Sequence, residues 1–297
     1  IPYTSIEFAK NNPVSLESGT SHKMQLVTGP ANATDHRIKW TSSNKTAATV
    51  DENGTVTALR PIETVTITAV YKTNPALTCS WNLKITRTKG YITKQMLDNL
   101  DLTSIKKVMI TAHPDDETLW GGGHLIEGEY LVVCMTHGWN PKRRTAFEQT
   151  MRTTNDKYLI LDYPDVRKTF SNGKYETDML STCKNAMQED INLILSYKKW
   201  DLIATHNPFG EYGKFLHKTI SQMVTQCYNK MTNKSATLYY FGRYYNSSNK
   251  IPGEQIAPEL LAIKNSMVGR YYPTAKGAID AFGHMIPYEN WLLPSEW

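Results

Sequence analysis

The chain has 297 residues, 40% of them hydrophobic, with 33 Lys and Arg against 28 Asp and Glu for a net charge of +5. That length holds one large domain or two ordinary ones, with apolar residues enough for real cores. The mild positive excess shows no long basic run or arginine-rich arm beyond Lys142-Arg143-Arg144, which leaves nucleic acid or anionic lipid unsupported as the main partner. No stretch approaches the roughly 18 apolar residues that a membrane-spanning helix needs.

Residues 1–86 predict an all-β domain. Short alternating segments follow one another at 23–27, 38–41, 48–50, 55–59, 65–70 and 81–85, and Glu52-Asn53-Gly54 is the clearest turn. Strands this short and this closely spaced make a small sandwich, with Trp40 and Trp81 as candidate core aromatics. The runs Ile38-Lys39-Trp40-Thr41-Ser42-Ser43-Asn44, Ala48-Thr49-Val50-Asp51, Asn53-Gly54-Thr55-Val56-Thr57-Ala58 and Val65-Thr66-Ile67-Thr68-Ala69 resemble the bacterial immunoglobulin-like (group 2) domains. That resemblance implies a spacer or adhesive module on a secreted or cell-surface protein, and it supplies no catalytic residue.

Residues 87–104 read as a polar, Lys-rich linker with a short helix at 93–100, and from 105 to 297 the pattern becomes α/β. Apolar strands are expected at 108–112, 130–136, 159–161, 202–205 and 237–241, and helices at 119–127, 144–158, 179–197 and 216–231. Strands apolar on both faces that alternate with helices specify a Rossmann-like, mostly parallel sheet flanked by helices. Ligands in such sheets bind at the carboxyl ends of the strands, where His113, His137 and His206 each follow one. Cys79, Cys134, Cys183 and Cys227 lack metal or redox spacing; Cys183 and Cys227 pair only if their helices meet. The sequence opens at Ile1 without a signal-peptide pattern, a start compatible with a cytosolic protein, a processed mature chain or an excised segment.

Val108-Met109-Ile110 runs toward His113-Pro114-Asp115-Asp116-Glu117-Thr118. Adjacent carboxylates at the end of a buried strand repel, and each costs free energy if desolvated without a partner. A divalent cation resolves the conflict, with the histidine and one acid as ligands and the other acid facing water. Pro114 stiffens the turn and presets side-chain directions. His137, His206, His217 and His284 are candidates for a third ligand. His217 follows the Gly-punctuated loop Gly210-Glu211-Tyr212-Gly213-Lys214, just beyond the strand at 202–205. With His113 and Asp116 it makes a set of two nitrogens and one carboxylate, which leaves positions for water and substrate. Zinc suits these ligands; iron, manganese and cobalt also accept them. Gly121-Gly122-Gly123 lacks the companions of a phosphate loop, and it is expected to let a helix pack closely beneath the metal.

Ala112-His113-Pro114-Asp115-Asp116-Glu117, together with Thr205-His206-Asn207-Pro208-Phe209-Gly210-Glu211-Tyr212-Gly213, resembles the LmbE-like (PIG-L) family of zinc-dependent N-acetylglucosaminyl deacetylases over residues 105–245. The resemblance implies Zn2+ ligands at His113, Asp116 and His217. It makes Asp115 the general base toward water and sets Tyr212 against the substrate carbonyl. Where the family often carries a histidine three positions before its last ligand, this chain has Lys214, a point cation able to stabilise an oxyanion. His137 or His206 is then the candidate acid. Thr136-His137-Gly138 matches a rim turn of the family, Arg144 is the expected substrate contact at a helix start, His206 stands on the substrate side, and Asp162 or Asp165 shapes the pocket.

The leading expectation is a secreted or cell-surface hydrolase that removes the N-acetyl group from an N-acetylglucosamine-containing glycan or glycoconjugate. The alternative is a surface carbohydrate-binding or adhesive protein with a weak or inactive catalytic domain, for which Lys214 is the support. The Tyr-rich segments 242–246 and 269–273 are candidate loops for stacking a sugar ring, and His284 is an outside candidate for the pocket.

Overall fold

A computed structural model describes residues 1–165, 178–232 and 235–297. The chain divides into two compact units, one built on Ile1–Lys89 and joined by the described residues 178–184, the other holding the rest from Gly90 onward.

The first unit contains β1 (Ser5–Phe8), β2 (Ser15–Glu17), β3 (Ser21–Lys23), β4 (Leu26–Gly29), β5 (Ile38–Ser42), β6 (Ala48–Val50), β7 (Thr55–Ala58), β8 (Ile62–Tyr71) and β9 (Thr78–Thr86). They pair in the orders β2-β9-β8-β5, β3-β7-β6 and β1-β4, antiparallel except for β2 with β9. Strict alternation makes the sandwich: along β8, Val65, Ile67, Ala69 and Tyr71 are buried while the residues between them are half-exposed. Trp40 and Trp81 lie at the margin of that core, each 5.9 Å from the Phe8 ring. Gly54, at φ +81°, makes the turn before β7, and a Cβ there would stand 2.5 Å from the Trp40 ring.

The single strand expected at 23–27 is two strands in two sheets. The chain changes partners at Met24-Gln25, where the Asn12 carboxamide accepts the Gln25 N–H and donates to the Gln25 carbonyl, both at 2.8 Å. A buried side chain thus replaces the lost ladder bonds.

The second unit contains α1 (Lys94–Asp98), β10 (Lys107–Thr111), α2 (Asp116–Glu127), β11 (Tyr130–Thr136), α3 (Pro141–Thr154), β12 (Lys157–Tyr163), α4 (Asp178–Tyr197, from Asn185), β13 (Leu202–Thr205), α5 (Gly210–Gly213), α6 (Phe215–Lys230), β14 (Thr237–Tyr240) and α7 (Pro258–Phe282). Among the described residues, five strands form one parallel sheet in the order β12-β11-β10-β13-β14. This is the expected Rossmann-like arrangement. β11 is buried at every position, which is why it reads as an unbroken apolar run. The strand order reverses between β10 and β13, so the crevice beyond their carboxyl ends is the place where an open α/β sheet takes a ligand.

Three local differences from the sequence reading position the site. α2 begins at Asp116 rather than at 119, and its first turn carries Asp116 and Glu117, which the helix dipole favours there. α3 begins at Pro141, where Asn140 Oδ1 accepts the N–H groups of Lys142 and Arg143 at 3.1 and 3.3 Å. Segment 269–273 is helical, inside α7: Met267, Val268 and Tyr271 give that stretch a buried face, and the axis bends at Ala275, just after Pro273. It is therefore no sugar-stacking loop.

The three glycines of α2 serve close packing against α7 and the segment after it. A Cβ at Gly122 would stand 2.9 Å from Lys264 Cγ, and one at Gly123 would stand 3.1 Å from Glu289 Oε2. Lys264 and Glu289 form a buried ion pair at 2.6 Å, and Glu289 also accepts the N–H groups of Gly123 and His124. Cys183 and Cys227 are free thiols. No helix among the described residues is long and apolar enough to cross a membrane.

Candidate metal centre

β10 delivers its next residues into the crevice under tight backbone control. The Ala112 N–H donates to His206 Nε2 at 2.9 Å, and the Ala112 carbonyl accepts the Thr136 hydroxyl at 2.7 Å. The His113 N–H then donates to Asp116 Oδ2 at 2.8 Å, which folds that carboxylate back over the turn. Between them Asp115 is held at φ 147°, ψ −31°, a conformation that costs of order ~1–3 kcal/mol and persists only where the surroundings over-determine it.

The turn brings Asp116 to His113 and, from α6, to His217. His113 Nδ1 and His217 Nε2 are 3.0 Å apart, and each lies 3.3 Å from Asp116 Oδ2. Three donors at these separations match one face of a tetrahedron whose metal–ligand bonds are about 2.0–2.1 Å and whose edges are therefore about 3.3–3.4 Å. The residues present fit one divalent ion.

Two further groups of ligand-type side chains meet here: His113 with His137 and Asp165, and His206 with Glu211 and His217. Hydrogen bonds set their order. His113 Nε2 faces Asp165 Oδ1 at 3.0 Å, and His217 Nδ1 faces Glu211 Oε2 at 2.5 Å. Each of these histidines can donate outward to a carboxylate and keep its other nitrogen bare for a cation, the usual support of a ligating imidazole. His206 Nε2 accepts the Ala112 N–H, so its proton sits on Nδ1, 3.0 Å from the same Glu211 oxygen. Glu211 is thus an orienting acid shared by two histidines. It stands at φ 55° with its N–H donated to Asn207 Oδ1.

Electrostatics agree with that division at Asp116 and His217; at His113 a cation would have to displace a proton. Burial alone would raise the Asp116 carboxyl, but His217, His206 and His113 hold it well below the usual carboxylate range. Burial pulls His217 down and leaves it neutral. At His113 burial also pulls down, but Asp165 and Asp116 push the imidazole up to about 10. Burial and the neighbouring Asp116 push the Asp115 carboxyl up to about 7, against the opposing pull of Arg143.

Residues 2–80 match the bacterial Ig-like domain (group 2) family, which makes the first unit an Ig-like domain. The chain is 31% identical over 175 residues to the uncharacterized protein L374 of Acanthamoeba polyphaga mimivirus, a match covering 53% of this chain and 67% of the viral protein. The chain belongs to one family with that viral protein. A second relative, the uncharacterized protein CA_P0160 of Clostridium acetobutylicum, is 32% identical over 117 residues, which are 39% of this chain and 12% of that protein. The crystal structure of the conserved protein TT1542 from Thermus thermophilus aligns at 12% identity with a TM-score of 0.47, covering 65% of this chain and 96% of that one.

The candidate centre opens into a pocket of about 160 Å³. Its floor is His113, Asp115 and Asp116; Tyr212 and Lys214 stand on one rim, and Ala278 and Phe282 of α7 form an apolar wall. The Tyr212 ring packs 4.4 Å from Phe282, and Lys214 Nζ lies 5.7 Å from the Tyr212 ring centre. His137 faces the same pocket at φ 65°, with Nε2 3.5 Å from Asp165 Oδ2 and Nδ1 without a hydrogen-bond partner among the described residues.

Two expected substrate contacts lie elsewhere. His206 is fully buried beside the candidate ligands, hydrogen-bonded at both nitrogens and not part of the pocket lining. Arg144 turns away, donating to the Gly138 carbonyl at 2.6 Å and lying 3.5 Å from Glu148. Arg143 is the arginine of the pocket: it donates to the Pro114 carbonyl at 3.3 Å and the Thr274 carbonyl at 3.1 Å, and it stands 3.7 Å from Asp115 Oδ1. One residue is about 100° of helix rotation, enough to exchange the pocket for solvent. Asp165, rather than Asp162, lines the pocket, and His284 stands apart from it, its Nε2 lying 2.8 Å from the Tyr245 carbonyl. Sequence reasoning missed Glu211 as the acid behind the histidines, although it lies inside the quoted motif. It also missed the α7 wall, which carries no local motif.

Proposed function

We propose that this protein is a secreted or cell-surface zinc-dependent hydrolase that removes the N-acetyl group from an N-acetylglucosamine-containing glycan or glycoconjugate. One observation carries the reading: a buried cluster of two histidines and an aspartate with the spacing of a single divalent ion, beside a second aspartate that lines the same pocket with Arg143 3.7 Å from its carboxyl. That is the arrangement a metal-dependent hydrolase requires. The resemblance of the two motifs to N-acetylglucosaminyl deacetylases narrows the substrate, and the Ig-like domain supports the location.

Bound by His113, Asp116 and His217, Zn2+ would polarise an amide carbonyl and lower the pKa of a water. Asp115, which lines the pocket beside these ligands and stands 3.7 Å from Arg143, would accept that water's proton. Burial and the acids Asp116 and Asp115 push the Tyr212 phenol upward, so Tyr212 keeps its proton and can donate to a developing oxyanion, with the Lys214 ammonium on the same rim. Asp115 or His137 then returns a proton to the leaving amine.

The test is metal analysis followed by substrate trials. About one equivalent of zinc is expected in purified protein, with acetate released from N-acetylglucosamine, short chitin oligomers or peptidoglycan fragments. An empty protein under metal-replete conditions, or no acetate from any of these substrates, would overturn the proposal.

A further inference from the structure

The Asp115 backbone is gripped from two sides. Its carbonyl starts α2, accepting the N–H groups of Thr118 and Leu119 at 3.1 and 2.9 Å. Its own N–H donates to Glu117 Oε2 at 3.0 Å, a side chain two residues on. The other oxygen of Glu117 accepts the Thr118 hydroxyl at 2.7 Å and the Tyr271 hydroxyl at 2.6 Å. Glu117 is fully buried, and Tyr271 reaches it from the middle of α7, 154 residues along the chain. Among the described residues, Glu117 Oε2 accepts the Asp115 N–H and Oε1 accepts the Thr118 and Tyr271 hydroxyls, so these partners dictate the orientation of the carboxyl group.

We propose that Glu117 and Tyr271 are positioning residues for Asp115: the Tyr271 hydroxyl fixes the Glu117 carboxylate, and Glu117 holds the Asp115 N–H so that the residue keeps its strained φ of 147° and aims its carboxyl into the pocket. The inference rests on the reading of Asp115 as the base. A residue at so sparsely populated a φ relaxes when its restraint is withdrawn, and a displaced base loses rate without losing substrate affinity. Neither Glu117 nor Tyr271 contributes to the His113–Asp116–His217 cluster, so metal content is a separate readout.

The experiment uses Tyr271→Phe, which keeps the ring in the core, and Glu117→Gln, which keeps the shape, both in the full chain. Tyr271→Phe is expected to retain about one equivalent of metal and a native KM for short chitin oligomers while kcat falls about tenfold or more. Hydrogen exchange at the Asp115 amide should accelerate about tenfold in both variants, with β10 unchanged. Native kcat together with native exchange at Asp115 in both variants would overturn the strap. A loss of thermal stability and metal content with kcat per bound metal unchanged would also overturn it, because that is the signature of a merely structural bond. If the native protein releases no acetate from any substrate, the deacetylase reading fails, while exchange at the Asp115 amide still decides the strap.

Discussion

At the scale of single residues, the candidate centre separates holding a cation from moving a proton. Asp115→Ala is expected to keep the metal and lose turnover by ~10²–10⁴-fold, the usual worth of a general base. His217→Ala is expected to lose the metal, because it removes one of three donors. Metal analysis beside acetate release checks both, and metal lost from the Asp115 variant but kept by the His217 variant would exchange the assigned roles. The candidate ligands His113 and Asp116 were legible because they lie in one short motif. Glu211 was not, since an acid inside a Gly-rich loop gives no sign of being buried. Away from the site, Asp156 accepts the Tyr130 N–H at 2.7 Å and the Thr154 hydroxyl at 2.5 Å, while burial pushes its carboxyl up to about 7. Between about pH 4 and pH 7 the folded chain therefore holds a proton that the unfolded chain, with a carboxyl near ~3.9, has already released. The stability from this group is intact below about pH 4 and is lost as pH rises through 7. Asp156→Asn keeps an acceptor and cannot ionise, so its stability relative to the native protein should rise by on the order of 4 kcal/mol between about pH 4 and pH 8. Urea titrations at the two pH values measure it, and a pH-independent difference would show that this carboxyl is unperturbed.

At the scale of elements, α2 and α7 are the pair that shapes the pocket, and glycines on the two helices should respond with opposite sign. Gly122 faces the Lys264 stem, whose end is fixed to Glu289, so Gly122→Ala overpacks a buried contact and is expected to cost about 1–2 kcal/mol even after the gain in helix propensity. An added Cβ at Gly277 meets nothing within 4 Å, so Gly277→Ala should stabilise by about 0.4–1 kcal/mol. Thermal or chemical denaturation of the two variants compares them directly, and a shared sign would refute this account of the helix contact. The helical and strand character of the second unit was largely readable from its periodicity, because each element must present an apolar face to one sheet. α7 was not legible as a helix: Gly269 and Pro273 are helix breakers by propensity, and burial of Met267, Val268 and Tyr271 overrides them. The division of residues 23–27 between two sheets was equally hidden, because it depends on the Asn12 side chain.

At the scale of the whole molecule, each unit has its own core, and the three candidate ligands with all the pocket residues belong to the second. A bound ion should therefore stabilise the α/β unit and leave the Ig-like one alone. At about 1,000 times the dissociation constant, the gain is about 4 kcal/mol. Hydrogen exchange with and without a chelator should show slower exchange around β10 and β13 on adding zinc, and no change in β8 and β9. Equal protection in both units would contradict the assignment of the metal to this cluster.

By itself the sequence determined the two architectures, most of their elements and a cluster of metal-ligand side chains. Alternation, apolar runs and a histidine beside paired acids are properties of neighbours in the chain, set by backbone geometry and by the repulsion of desolvated charges. Only the tertiary structure decided that His206 and His217, of four candidate histidines, reach Asp116, which of two adjacent arginines faces Asp115, and that a helix 154 residues away holds Glu117. Those outcomes depend on how sheet and helices pack against one another. His113 and His217, 104 residues apart, come within 3.0 Å because β10 and β13 meet where the strand order reverses.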